Sequence, residues 1–436
     1  MAPLWSQRLV HHSTPHILPK TVMPMDQDQA PPELGPAARD AATPAVSAFY
    51  DRFPYPGDPL EDGPPPGYNW RWCVDSVVAA VRGGLPPRLG GNSRSWRILD
   101  AGCGTGVSTD YLCHLNPGAD VVAVDISAGA LDGAKERLRR SGAAGQVHSL
   151  EVRQCSLLNL EETGSFDYIN SVGVLHHLDR PELGLQALAA RLAPKGLLHL
   201  FLYADGGRWE IHRVQKALGL LQAGPSDEGL RLGRSLFHDL PAHNRLRRHH
   251  ENRWALDTAA DSNFADMYLH PQETSYDLSR LFALLQQCGL HFCGFSNPAQ
   301  WDPARLLQGE LLDRAQALPE RQQWELVETL DPDISHFEFF LSQEPIVPKQ
   351  WGKDEDLLAA GGELNRCLWG WPSTSFLGPD LEPLDIEPGD LALLQALEGA
   401  PEGMALGTLP LAMEQQERLL RARRLIALRL LQPLVG

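Results

Sequence analysis

The chain has 436 residues, 43% of them apolar and 21% charged, which suits a folded globular protein of about two or three domains. Its 38 basic and 55 acidic residues leave a net charge of −17, a balance that argues against broad attraction to nucleic acid or anionic membrane, and no DNA partner is expected. No apolar run reaches the roughly 18 residues of a membrane span, and the seven scattered cysteines include no C-x-x-C pair, so no thiol zinc site is expected and reduced thiols in a cytoplasm are the simplest reading.

Residues 1–44 are rich in Pro, Gln, Ala and His without periodicity and read as a disordered tail. Arg8, His11, His12, Pro15, His16 and Pro19 interrupt any secretory apolar core. A short helix is predicted over 45–53, stopped by Pro54-Tyr55-Pro56. Trp70 and Trp72 suit a core better than an aromatic cage. From Trp96 onward strands predicted at 97–101, 120–125, 149–153, 166–172 and 197–203 alternate with helices at 105–115, 128–140 and 182–192. Continuous apolar strands joined by helices imply a parallel sheet covered on both faces, hence an α/β, doubly wound fold. A helical, His- and Arg-rich insertion follows over 204–283, the natural candidate for a lid. Strands resume at 290–295 and 336–341, which makes seven in a mostly parallel sheet within a domain spanning 45–345. Residues 349–436 read as a separate small helical or winged-helix-like unit, with helical periodicity at 390–397 and 414–431.

The strongest local signal runs from Ile98 to Gly106, a strand entering a glycine turn that opens a helix. Glycines let the backbone bend tightly and approach a ligand, and the helix start offers free N–H groups. Val107 and Thr109 stand where a dinucleotide fingerprint would place its third glycine, so a different nucleotide-type cofactor is implied. Asp125, at the end of the second strand, is placed to accept from ribose hydroxyls.

The segment Leu99-Asp100-Ala101-Gly102-Cys103-Gly104-Thr105-Gly106, with Val124-Asp125-Ile126-Ser127 behind it, resembles the class I S-adenosylmethionine-dependent methyltransferases. So do Phe166-Asp167-Tyr168-Ile169-Asn170-Ser171, Val174-Leu175-His176-His177-Leu178 and Leu192-Ala193-Pro194-Lys195-Gly196, which look like the small-molecule branch of that family. The resemblance implies S-adenosylmethionine as cofactor. It would place Asp100, Gly102, Gly104 and Gly106 around the methionine part, Asp125 on the ribose and Ile126 on the adenine. Ser156 would stand in for the acidic residue that many members carry after the third strand, with Asn170, Ser171 and Gly173 near the amino group and sulfur.

Methylating a hydroxyl or protonated amine needs a base, and histidine is matched to neutral pH. His176, at the carboxyl edge of the sheet, is one catalytic candidate. Asp266 and His270, one turn apart if the helix there is continuous, form a second as a hydrogen-bonded acid–imidazole pair. No metal site is assigned, since Asp266, His270 and Glu273 have no diagnostic spacing. The basic stretch Arg245, Arg247, Arg248, His249, His250 and Arg253 suits either an anionic substrate group or a solvated helix face. Tyr50 and Tyr55 lie on a segment that, in similar enzymes, closes over the cofactor. The expected activity is methyl transfer to a small-molecule substrate. Two alternatives stay open: a protein or RNA methyltransferase docking its partner through the C-terminal unit, and a non-catalytic S-adenosylmethionine sensor.

Overall fold

The computed structural model describes residues 43–88, 94–161, 165–379 and 382–435. Residues 1–42 of the expected tail lie outside the described residues. The first helix, α1 (Thr43–Arg52), begins two residues sooner than its apolar pattern suggests and ends before Pro54, whose ring cannot continue it. Helix α2 (Val74–Arg82) follows, its Val74, Val77, Val78 and Val81 stripe buried against the sheet at helical spacing.

The sheet comprises β1 (Arg97–Ala101), β2 (Asp120–Asp125), β3 (Ser149–Gln154), β4 (Phe166–Val172), β5 (Leu192–Tyr203), β6 (His291–Phe295) and β7 (His336–Ser342), in the order β3-β2-β1-β4-β5-β7-β6. The first five strands pair parallel, and β7 runs antiparallel between β5 and β6. β5 starts at Leu192, five residues before its apolar run. Leu192 pairs with Phe166, and the register then jumps to Tyr168 opposite Leu197, so Pro194 sits in a bulge where its missing N–H leaves no gap in the ladder. Helices α3 (Val107–Leu115), α4 (Ala128–Ser141) and α5 (Pro181–Arg191) cross between the strands. Neighbouring residues on one strand face opposite sides. Thus Leu99, Ile169 and Leu198 enter one buried cluster, while Ile98, Tyr168 and Leu197 enter the other. At about 1.5–3 kcal/mol per fully buried large aliphatic or aromatic side chain, these two faces hold the glycine loop rigidly in place.

Between β5 and β6 lie α6 (Trp209–Leu220), α7 (Asp227–Asp239), α8 (Arg245–His249), α9 (Asp261–Leu269) and α10 (Leu278–Gln287). The first four share a core with α1 through Phe49, Phe53, Ile211, Phe237, Phe264 and Tyr268. Helices α11 (Gly309–Gln316) and α12 (Glu320–Leu330) precede β7. No helix among the described residues is long and apolar enough to cross a membrane.

The C-terminal segment contains α13 (Asp354–Ala359), β8 (Gly362–Leu364), β9 (Ser375–Leu377), β10 (Pro383–Asp385), α14 (Pro388–Glu398), α15 (Gln415–Ala427) and β11 (Leu431–Pro433). β8 pairs with β11 and β9 with β10, around a leucine-rich core including Leu357, Leu393, Leu425 and Leu430. The last helix stops at Ala427, short of the predicted 431, because Arg429 adopts φ 57 and turns the chain into β11. This segment is tied to α2 by buried polar contacts. Ser76 Oγ donates to Asn365 Oδ1 at 2.9 Å, and Gln432 Nε2 donates to Ser76 Oγ at 3.1 Å.

Candidate cofactor and acceptor site

β1 delivers the chain into a loop where Gly102, Gly104 and Gly106 have φ of 85, 52 and 83°, the left-handed region that other residues avoid. Space adds to conformation at the first two. A Cβ on Gly102 would stand 2.3 Å from Val174 Cγ2, and one on Gly104 would stand 2.3 Å from the Tyr55 carbonyl oxygen. The amides of Gly102 and Cys103 both donate to Val124 O, at 2.8 and 3.0 Å, and so bind the loop to the end of β2. One residue on, Asp125 Oδ2 accepts from Gly104 N at 2.8 Å and Oδ1 from Ser127 N at 2.9 Å. Each oxygen keeps acceptor capacity for a hydroxyl, the arrangement a ribose diol requires. Burial pushes the Asp125 carboxyl above its usual range, opposed by these same amides.

A cavity of about 250 Å³ opens on this loop. Gly102, Gly104, Asp125, Ile126, Ser156 and Gly173 line it, together with Val46, Tyr50, Tyr55, Trp72, Leu157 and His177. Ile126 and Leu157 give the Asp125 end an apolar wall of the kind an adenine ring needs. The roof is the segment from α1 to Pro56. Thr105 N donates to Tyr55 O at 3.0 Å, Thr105 Oγ1 to Pro56 O at 2.7 Å, and Ser127 Oγ to Asp51 Oδ1 at 2.8 Å. Trp72, expected in the core, lines the cavity instead, while Trp70 is buried.

Four residues expected at the cofactor stand one layer behind the lining. Buried Asp100 accepts from Ser108 Oγ (2.7 Å), Thr109 Oγ1 (2.6 Å) and Asn170 Nδ2 (2.8 Å), and so fixes the start of α3 to β4. Asn170 Oδ1 accepts from Trp72 Nε1 at 3.2 Å and lies 2.8 Å from His199 Nδ1. Beyond it His199 Nε2 meets Glu338 at 3.1 Å, and Glu338 pairs with Arg71 at 2.7 Å. Ser171 Oγ donates to Ala101 O. At Gly106 an added Cβ would meet the Ala134 backbone at 2.9 Å, so this glycine serves the packing of α3 on α4.

A methyltransferase-domain family model matches residues 99–198. The uncharacterized protein syc1184_c of Synechococcus sp. (strain ATCC 27144 / PCC 6301 / SAUG 1402/1) is 49% identical over 365 residues, 82% of this chain and 86% of that one. Magnesium-protoporphyrin O-methyltransferase of Rhodobacter capsulatus is 38% identical over 112 residues, 25% of this chain and 44% of its own length. Among solved structures, PKMT2 from Rickettsia typhi in complex with AdoHcy shares the fold, with a TM-score of 0.58 at 18% identity, covering 85% of this chain and 77% of that one. The chain belongs to the class I S-adenosylmethionine-dependent methyltransferases.

In this methyltransferase the histidines after β4 occupy a single 3₁₀ turn, Leu175–His177, and their rings meet edge to face with centroids 4.3 Å apart. His176, one of the catalytic candidates, is not part of the cavity lining. It is fully buried, stacked on Tyr203 with centroids 3.6 Å apart, and neither ring nitrogen has a partner among the described residues. Burial holds its pKa well below the usual imidazole value. His177, missed by the sequence reading, faces the cavity. Its Nδ1 lies 2.9 Å from Gln272 O, and a carbonyl only accepts, so Nδ1 carries the hydrogen and Nε2 the lone pair. Burial lowers the His177 pKa as well, partly offset by Asp266.

Asp266 and His270 do not form the expected pair. α9 ends at Leu269 and His270 has φ −59, ψ 133, so the ring leaves the helical face that would have set it over Asp266. Asp266 Oδ1 accepts instead from Tyr50 Oη on α1, at 2.8 Å. His270 Nδ1 accepts from Gln272 N at 3.1 Å, which leaves its Nε2 as a protonated donor with no partner among the described residues. The His270 ring lies on His177 with centroids 3.8 Å apart, and burial lowers its pKa to about 2. One ligand-type atom each of His177, Asp266 and His270 falls within 4.8 Å of the others, the composition of a metal site. The donor set does not fit one, because the free His270 nitrogen presents a hydrogen and not a lone pair. Glu273 is committed elsewhere, accepting from Arg208 (2.7 and 3.0 Å), His212 and Gln215. The basic stretch is largely consumed by protein contacts: Arg245 pairs with Glu210, Arg247 with Glu251 and Arg253 with Asp333, while His250 stacks on Phe237.

Proposed function

We propose that this methyltransferase transfers the methyl group of S-adenosylmethionine to a small-molecule acceptor, with His177 as the base. The observation that carries the reading is the single cavity whose lining joins the Gly102–Gly104 loop and Asp125 to Tyr50, Tyr55 and His177. Gly102, Gly104 and Gly173 leave room for the methionine part, Asp125 takes the ribose hydroxyls, and Ile126, Ser156 and Leu157 border the adenine. When bound, the cofactor supplies a sulfonium methyl, an electrophile already activated.

The protein's own residues then have two tasks. The roof formed by Tyr50, Tyr55 and Pro56 excludes water and holds the acceptor in line. His177 Nε2 receives the acceptor's proton while the Gln272 carbonyl fixes its tautomer. Relatives named as magnesium-protoporphyrin and ubiquinone biosynthesis O-methyltransferases, 38% and 29% identical over about a quarter of this chain, support a small acceptor.

The test has two parts: calorimetry with S-adenosylhomocysteine, then incubation with methyl-labelled cofactor and a cell extract split by dialysis. Label entering the dialysable fraction is expected. Label found only in protein or RNA would establish the docking alternative, and tight cofactor binding with no transfer to any fraction would establish the sensor.

A further inference from the structure

Asp266 is 4% exposed, and its carboxylate has one hydrogen-bond donor, Tyr50 Oη, on Oδ1. Among the described residues its other oxygen has no partner, and no Lys, Arg or His forms an ion pair with it. The nearby cation, Arg208, is already used. Its guanidinium lies over the Tyr203 ring at 3.5 Å and forks onto Glu273, which it neutralises. His177 and His270 are held neutral by burial. Burial raises the Asp266 carboxyl pKa in turn, and its carboxylate form is balanced by no cation among the described residues. One ligand-type atom each of Asp266, His270 and His177 lies within 4.8 Å of the others, and His177 lines the cavity beside Tyr50 and Tyr55. An isolated buried carboxylate is costly, and it is normally found with a charged partner.

Resting on the methyltransferase reading above, we propose that the missing partner is the acceptor itself, and that Asp266 Oδ2 and His177 Nε2 form a subsite for the ammonium group of an amine. The valences agree. Two acceptors, Asp266 Oδ2 and His177 Nε2, meet a head group made of N–H donors, and aromatic faces attract a cation. An alkoxide, phenolate or carboxylate acceptor would be repelled by Asp266, with Arg208 too committed to compensate. The same two residues set the proton's route. The ammonium gives one proton to the His177 Nε2 lone pair, the N–H electron pair stays on nitrogen as the nucleophilic lone pair, and Asp266 stabilises the imidazolium that results. His270 Nε2–H, with no acceptor in the protein, faces this cluster and is free to donate to a second polar atom of the acceptor. The O-methyltransferase relatives support a small acceptor, and the subsite assigns nitrogen as its nucleophilic atom where those names carry oxygen.

The experiment uses the full chain saturated with S-adenosylhomocysteine and measures binding by calorimetry of n-butylammonium and of n-butanol, which is nearly isosteric and uncharged. The expected result is butylammonium binding roughly 10- to 100-fold tighter, the range of a hydrogen bond to a charged group. Asp266→Asn, which keeps an acceptor for Tyr50, should bring the ratio near unity without changing S-adenosylhomocysteine affinity. Equal binding of the two probes, or an unchanged ratio in Asp266→Asn, overturns the subsite. Failure of S-adenosylhomocysteine to bind the wild-type chain overturns the underlying methyltransferase reading instead. A third titrant, Nα-acetyl-lysine methylamide, reports the source of the amine. Binding no tighter than butylammonium supports a free small amine; clearly tighter binding overturns the small-molecule half of the reading in favour of a polypeptide side chain.

Discussion

Replacing Gly104 by alanine tests the geometry of the cofactor loop most directly. At φ 52 an alanine is strained by about 1–2 kcal/mol. Its Cβ would also stand 2.3 Å from Tyr55 O, an atom of the backbone that cannot rotate aside, so the Tyr55–Pro56 segment must withdraw from the loop. Withdrawal breaks the two bonds that Thr105 makes to Tyr55 O and Pro56 O, at about 1 kcal/mol each. The total is a loss of about 3–4 kcal/mol, together with an unroofed cavity. Gly142 supplies the control. It has φ 74 but nothing within 4 Å of its would-be Cβ, so Gly142→Ala should lose only the conformational part, about 1–2 kcal/mol. Urea unfolding of both variants and of the wild type, with calorimetric titration of S-adenosylhomocysteine, measures the two effects. If Gly104→Ala is no less stable than Gly142→Ala and binds the cofactor product as the wild type does, the close approach of Tyr55 to the loop has no energetic content and the reasoning is wrong.

Asp125→Ala removes the acceptor offered to the ribose and should weaken S-adenosylhomocysteine roughly 10- to 100-fold by calorimetry, the worth of a hydrogen bond to a charged group. His177→Ala should lower kcat by about 10²–10⁴ with cofactor affinity unchanged. Because burial lowers the His177 pKa, kcat/KM of the wild type should be level above about pH 6.5 and fall only in more acid solution, and the variant should lack that limb. His270 titrates at about 2 in the folded chain and near 6.5 when unfolded. Between those values the unfolded chain binds the extra proton, so this residue's contribution to stability is lost as pH falls, by about 1.4 kcal/mol per unit. His270→Phe should flatten the pH dependence of urea unfolding by that amount between about pH 6 and pH 5, and an unchanged slope would show that His270 is charged or solvated.

The sheet was legible because its strands are continuous apolar runs punctuated by turn residues. All seven were foreseen, and the largest shift, the early start of β5 at Leu192, came where a bulge intervened. The glycine loop was legible for the same local reason: three glycines in five residues ask for a backbone that other residues cannot adopt. The acceptor end was not. His176 and His177 differ by one position on a tight turn, and a sequence does not say which of two neighbours turns inward. Asp266 and His270 have helical spacing, but the helix ends between them, and the partner of Asp266 is Tyr50, 216 positions away. Pairings of that kind are made by the tertiary fold. Tyr50 and Tyr55 were reached only through family resemblance, and Arg208 with Glu273 carried no signal beyond residue type.

The segment from Tyr50 to Pro56 is fastened at both ends of its span, by Thr105 over the loop and by Asp266 on α9. Loading of the donor and assembly of the acceptor's seat are consequently one mechanical event. Any lifting of the strap would open the donor's place and the acceptor's together. Product-inhibition kinetics are then expected to show the donor binding first and its product leaving last, and a random order would show that the two seats are independent.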